Sequence, residues 1–149
     1  MREMPAGCKA LLIALFVIAL DVCTKYFVVS NLAICDVVNC CSIFNIVHVE
    51  NHGVAFGVLS SVHRFVLIAL AVAILIAFVI WVRQHAQFWL PGGLVIGGAI
   101  GNLLDRSIRG VVIDFLDFHL KNYHWPAFNV ADSAIVIAVG ILLFWREEK

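Results

Sequence analysis

The sequence predicts an α-helical membrane protein with four transmembrane helices and a small strand-rich element at the outer membrane surface. Three observations carry this. The 149 residues are 63% hydrophobic and only 13% charged, against roughly 45–50% apolar and about 25% charged in soluble domains. Mean hydropathy is +1.02, more apolar side chain than a soluble core of this length can hold. The apolar residues also gather into four runs, Ala10–Val29, Phe65–Val82, Phe88–Leu104 and Ala127–Trp145, each near the ~17–25 residues a helix needs to cross hydrocarbon. Together they make one membrane-embedded domain over residues 1–149. The formal net charge is zero, so nothing points to a nucleic-acid partner.

The first run carries Asp21 and Lys25, the second no charge, and the fourth Asp132 near its start. The first is too long and too charged for a cleaved signal peptide, and no cleavage site follows it. Ala6-Gly7-Cys8 has the form of the end of a lipoprotein signal peptide, but no apolar stretch precedes it, so the chain is not expected to be a lipoprotein itself. Four crossings put both termini on one side. Arg2 and Lys9 precede the first span, and the connection Ser30–His63 contains neither Lys nor Arg, which places the termini in the cytoplasm by the positive-inside rule. The remaining charges add little. Arg2, Lys9, Arg83, Arg146 and Lys149 then fall inside, and Arg64, Arg106, Arg109 and Lys121 outside, five against four.

The first outer connection is more than a tether. Ser42–Glu50 is β-branched and partly alternating, and Asn51-His52-Gly53 supplies turn chemistry, which predicts a strand-rich element. In the second outer segment, residues 105–129, Val111-Val112-Ile113 reads as a short strand ending in Asp114, and Trp125-Pro126 breaks the chain before the last span. Asn129 is a good helix cap, and Asp132 stands three residues later, where a carboxylate can reach back to the cap. Gly93, Gly97 and Gly101 share one face of the third span and allow a second helix to approach closely. The five cysteines, Cys8, Cys23, Cys35, Cys40 and Cys41, cannot form a closed disulfide framework. A bond from Cys35 to Cys40 or Cys41 stays open beside the default of free buried thiols.

An ionisable side chain at mid-bilayer costs roughly 2.5–3.5 kcal/mol on insertion scales, so each one needs a reason. Asp21 and Lys25, spaced i,i+4, can pair and are read chiefly as structural. Arg106 can snorkel to the interface, or hold a peptide carbonyl or lipid phosphate with its fork. Asp105 is read as a structural partner for neighbouring groups. Asp114 lies between the third and fourth spans and Asp132 starts the fourth, so topology brings both carboxylates to the same membrane face. Two carboxyl groups that meet share a proton, and such a pair can activate water and protonate a leaving amide. The alternative is a plain helix cap at Asp132 and a solvated loop residue at Asp114.

These residues resemble lipoprotein signal peptidase, also called signal peptidase II, over essentially the whole chain. The resemblance runs through Asp21-Val22-Cys23-Thr24-Lys25, Asn51-His52-Gly53-Val54-Ala55-Phe56-Gly57, Gly101-Asn102-Leu103-Leu104-Asp105-Arg106, Gly110 with Val111-Val112-Ile113-Asp114-Phe115, and Phe128-Asn129-Val130-Ala131-Asp132-Ser133-Ala134. It implies a four-helix membrane aspartyl peptidase with a small periplasmic β-cradle, located in the bacterial inner membrane with its active site at the periplasmic face. It implies Asp114 and Asp132 as the catalytic pair, and Asn51, Gly53, Asn102, Arg106 and Asn129 as substrate contacts. Asp21, Lys25 and Asp105 remain structural polar groups. The implied substrate is a prolipoprotein carrying diacylglycerol on its first mature cysteine, cut just before that cysteine. Membrane lipids are the other expected partners, with the chain as a monomer and with no cofactor and no metal. Cys23 stands where the family more often has Gln, and Cys35, Cys40 and Cys41 lie outside its pattern.

Rival readings are weaker. A metallopeptidase needs a ligand set such as His-Glu-x-x-His, and His48, Glu50 and His52 have the wrong spacing for one helix face. The Gly-x-Ser-Gly block of rhomboid peptidases, the Gly-x-Gly-Asp block of other intramembrane aspartyl peptidases and the Asp-Thr/Ser-Gly of soluble ones are absent from the sequence. A small transporter or proton channel could use Asp21, Lys25 and Asp132 as a relay, but the polar groups collect at one face. A non-catalytic scaffold is the third alternative.

Overall fold

A computed structural model describes residues 4–53 and 63–145. Val54-Ala55-Phe56-Gly57 of the second motif block, Arg2, Arg146 and Lys149 lie outside the described residues, as does the side chain of Arg64. The elements run α1 (Ala6–Asn31), β1 (Val37–Cys41), β2 (Phe44–Asn51), α2 (Arg64–Gln84), α3 (Trp89–Ile108), β3 (Val112–Leu120), β4 (Tyr123–His124) and α4 (Val130–Leu143).

Prolines fall where helices tolerate them. Pro5 precedes α1, and its carbonyl accepts the N–H groups of Cys8 at 2.9 Å and Lys9 at 3.1 Å. Pro91 lies in the first turn of α3, where the missing N–H has no intrahelical partner to lose. Helices α1 and α2 are long and apolar enough to cross a membrane, with mean hydropathy 2.2 and 3.2 in their best windows. Helix α4 has 14 residues, only ~21 Å at 1.5 Å per residue. It is shorter than the expected run from Ala127 to Trp145, because the chain before it is still paired to the sheet. Phe128 bridges Leu116 and accepts its N–H at 2.8 Å.

Helix α3 packs against all three other helices. The glycine face lies directly on α1. A Cβ at Gly93 would sit 2.6 Å from Ala10 O, at Gly97 2.8 Å from Ala14 O, and at Gly101 2.6 Å from Asp21 Oδ2. Side chains at these positions would push α1 away and move Asp21 with it. On another face, Gly98 meets the carbonyl of Ala131 on α4. Gly110, at φ 82°, lets the chain turn from α3 into β3 in the left-handed region that suits glycine.

The four strands form one antiparallel sheet in the order β1-β2-β3-β4. Val28 of α1 packs with Val111, Ile113 and Phe115 into a buried cluster that seats the sheet on the helices. Strand β3 continues past Asp114 to Leu120, further than the short run predicted. Residues 112–115 are buried on both faces, so the polar–apolar alternation that marks a strand is missing there. Strand β1 is fully exposed, and Val37-Val38-Asn39-Cys40-Cys41 lacks the apolar–polar alternation that announces a half-buried strand. All five cysteines are free thiols. The expectation that they would be buried fails: every one is exposed, on an outer helix face or in the first connection.

Candidate active site

Asp114 lies in β3 opposite Val49 of β2 and is only 2% exposed. Its Oδ2 accepts from Asn51 Nδ2 at 2.9 Å, and its Oδ1 from Asn129 Nδ2 at 2.7 Å. Asp132 stands in the first turn of α4, and its Oδ1 accepts from Asn102 Nδ2 at 2.7 Å. The two asparagines join the carboxylates: Asn129 Nδ2 also lies 3.2 Å from Asn102 Oδ1. Asn129 caps α4 as predicted, its Oδ1 accepting the N–H of Asp132 at 2.9 Å. The reverse contact predicted from Asp132 to the cap is replaced by the bond to Asn102. The carboxylate therefore turns toward α3 and away from its own helix end.

Both carboxyl groups line one cavity of about 670 Å³. Asn51, Asn102 and Arg106 share its polar end, while Leu67, Leu70 and Ile74 of α2 and Ile135 and Val136 of α4 form an apolar wall. Burial pushes the Asp114 carboxyl up to about 6. The neighbouring Asp132 adds to the rise, and the amide bonds from Asn51 and Asn129 hold part of it back. A carboxyl group raised to about 6 beside a second carboxyl holds its proton well above the usual carboxylate range and is suited to general acid–base chemistry.

Arg106 does not snorkel outward. Its Nη2 donates to the Gly53 carbonyl at 2.7 Å, and the Gly53 N–H donates to Asn51 Oδ1 at 2.9 Å. The turn after β2 is thus tied to α3, and Asn51 Nδ2 is left facing Asp114. Beneath the site, Lys25 Nζ lies 2.8 Å from Asp21 Oδ2, 3.1 Å from Asp105 Oδ2 and 3.0 Å from Asn102 Oδ1. Asp21 Oδ1 accepts the N–H of Ala131 at 2.9 Å. Asp105 Oδ1 takes Arg109 Nε at 3.1 Å and its Oδ2 the N–H of Ile113 at 3.2 Å. Removing one member of such a buried set leaves an uncompensated charge, at a cost of about 3–5 kcal/mol in comparable cases. The set links α1 to α3, α4 and the segment that carries Asp114.

The sequence reading overlooked a second polar cluster. Asp117 Oδ2 accepts from Asn45 Nδ2 at 2.8 Å, and His124 Nδ1 lies 2.9 Å from both Asp117 oxygens. Burial alone would raise the Asp117 carboxyl, but its bonds to His124 and Asn45 outweigh that and hold it below the usual carboxylate range. The available signal was a lone acid in the apolar run Phe115-Leu116-Asp117-Phe118. Its partners are distant in sequence.

This fold, a helical bundle topped by a small sheet, is shared with a bacterial membrane enzyme of known structure. A bacterial membrane enzyme solved in meso at 2.3 Å superposes with a TM-score of 0.84 at 31% identity, covering 94% of this chain and 93% of the other. The lipoprotein signal peptidase of Thermodesulfovibrio yellowstonii is 45% identical over 135 residues, 89% of each chain. That of Syntrophotalea carbinolica is 43% identical over 146 residues, covering 92% of this chain and 91% of its own. The family model for signal peptidase II matches residues 13–146. The chain belongs to the signal peptidase II family and is a bacterial membrane protease.

Proposed function

We propose that this single-domain protein removes signal peptides from diacylglyceryl-modified prolipoproteins, cutting just before the lipidated cysteine, and that it does so as an aspartyl endopeptidase. The observation that carries the reading is the pair Asp114 and Asp132, held by Asn129 and Asn102 at the polar end of a cavity with an apolar wall. The scissile peptide lies against the carboxyl groups, and the lipid tails lie along the apolar wall and the bilayer beyond it. Anchoring the substrate in the same membrane reduces the search and orientation cost.

In the reaction, protonated Asp114 donates a hydrogen bond to the scissile carbonyl. Ionised Asp132 takes a proton from water, whose oxygen attacks the carbonyl carbon. The tetrahedral intermediate then collapses with cleavage of the C–N bond. The proton gained by Asp132 passes to the leaving amine, and Asp114 keeps or recovers its own. Asn102, Asn51 and Arg106 line the cavity and contact the peptide, whereas Asn129 and Gly53, expected as substrate contacts, are buried outside that lining and instead position Asp114 and Arg106. The protein crosses the bacterial inner membrane four times as a monomer, with cytoplasmic termini and the site at the periplasmic face. The connection free of Lys and Arg from Ser30 to His63 supports that orientation.

The test uses the purified protein in detergent with a diacylglyceryl-modified precursor and the same precursor unmodified. The expected result is a gel shift for the lipidated form alone, with mass spectrometry placing the new amino terminus at the lipidated cysteine. Equal cleavage of both precursors, or a cut elsewhere, would contradict the substrate assignment.

A further inference from the structure

We propose that Lys25 is a positioning residue for the cleavage reaction: its buried ammonium fixes the Asn102 amide in the one orientation that offers an N–H to Asp132. This rests on the reading of Asp114 and Asp132 as the reacting pair. An ammonium has three N–H groups and no acceptor. Around Lys25, which is 1% exposed, stand three acceptors: Asp21 Oδ2 at 2.8 Å, Asp105 Oδ2 at 3.1 Å and Asn102 Oδ1 at 3.0 Å. The two carboxylates meet the ammonium as ion pairs, and its hydrogen bond is given to Asn102 Oδ1.

That commitment decides which way the amide points. Asn102 Oδ1 faces two donors, Lys25 Nζ and Asn129 Nδ2. Turning the amide over would set its NH2 against both and would present an oxygen to the Asp132 carboxylate. In the flipped arrangement the NH2 meets two donors and no acceptor, and the oxygen meets a carboxylate acceptor and no donor. Asp21 and Asp105 hold the ammonium in place, although neither carboxylate lines the cavity. Lys25 thus acts on the reaction by two routes, a hydrogen bond passed through Asn102 to Asp132 and a positive field on the pair. Asp132 from α4 and Lys25 from α1 both act on Asp114, and Arg106 and Asp105 stand on α3 beside them. The Lys25 charge favours the ionised form of Asp114.

The test separates the donor from the charge and both from folding. In an Asp21→Asn background, which keeps an oxygen for the Ala131 N–H, Lys25 is changed to Met or to Gln. The Met variant fills the space but donates nothing. It is expected to stay folded in detergent, with KM near that of the parent and kcat lower by about 100-fold, the scale of a misplaced reacting group. The Gln variant can still donate to Asn102 Oδ1 and is expected to recover most of kcat. Both lack the positive charge, so in both the fall of kcat/KM at the alkaline side moves to higher pH. A merely structural lysine would lower the folded fraction and leave kcat per folded molecule and the pH profile unchanged; that result would overturn the proposal, as would equal kcat in the two variants. If the variants do not fold, magic-angle-spinning NMR on unaltered protein decides. A cross-peak between Lys25 Nζ and Asn102 Cγ is expected, and its absence overturns the proposal. Active Asp114→Asn and Asp132→Asn proteins would sink the reading of the site itself. Inactive ones beside an unaffected Met variant would sink only the role of Lys25.

Discussion

Asn129 donates its side-chain amide to Asp114 Oδ1 at 2.7 Å, from the position that caps the helix carrying Asp132. One fully buried asparagine therefore sets both where α4 begins and how the two carboxyl groups face each other. Asn129→Ala is expected to lose the cap, about 0.5–2 kcal/mol, together with about 100-fold in kcat. Asn129→Ser can still cap the helix but cannot reach Asp114 as a donor. It is expected to keep most of the thermal stability and still lose kcat. Thermal unfolding in detergent beside cleavage kinetics checks both, and a Ser variant with full kcat would contradict the role.

The pH dependence follows from Asp114. Its carboxyl is raised to about 6 from 3.8, so the folded state binds the proton more tightly than the unfolded chain does. The stability this gives is fully present below the unfolded value and is lost as pH rises through about 6. Activity carries the same sign, because the pair needs its shared proton. In the free enzyme kcat/KM is expected to fall as pH rises through about 6. A pH profile of precursor cleavage tests this, and a flat profile across that range would count against Asp114 as the acid.

The Asp117–His124 contact has the opposite sign. The Asp117 carboxyl is held low, so its contribution to stability is present above the unfolded value of 3.8 and is lost as pH falls through its folded value. His124→Ala should lower the thermal midpoint while Asp117 is ionised, and the gap to wild type should close as pH falls through the folded value of Asp117. A gap that persists unchanged at pH low enough to protonate Asp117, or no gap at any pH, would show that Asp117 is not held by His124.

The glycine face should discriminate sharply among alanine substitutions. At Gly97 a Cβ would meet Ala14 O and Val17 Cβ at 2.8 Å each, whereas at Gly140 nothing lies within 4 Å. Gly97→Ala is expected to cost about 1–3 kcal/mol through overpacking, while Gly140→Ala should be neutral or slightly stabilising. Unfolding midpoints in detergent for the two variants test the closeness of α1 and α3.

Much of this was legible before any coordinates. The apolar runs announced all four helices, and the period-four glycines announced a close helix–helix approach, because both patterns are local; that α1 is the partner was not legible. Asn129 as a cap was legible for the same reason. The end of α4 nearest the sheet was not: residues before Val130 are drawn into pairing with β3, a tertiary demand that hydropathy cannot register. The start of strand β3 was legible as Val111-Val112-Ile113, but its continuation through Leu120, set by pairing with β2 and β4, was not. The bond from Lys25 to Asn102 spans 77 positions. An i,i+4 pairing rule could find Asp21 for that lysine but could not find the amide.

The most direct test of the central claim is the rate of lipidated-precursor cleavage by the Asp114→Asn and Asp132→Asn proteins, each first checked for an unchanged unfolding midpoint. If the two carboxyl groups together activate water, each substitution lowers kcat by at least about 1,000-fold, within the range general acid–base groups contribute. Wild-type turnover in either folded variant would contradict the account.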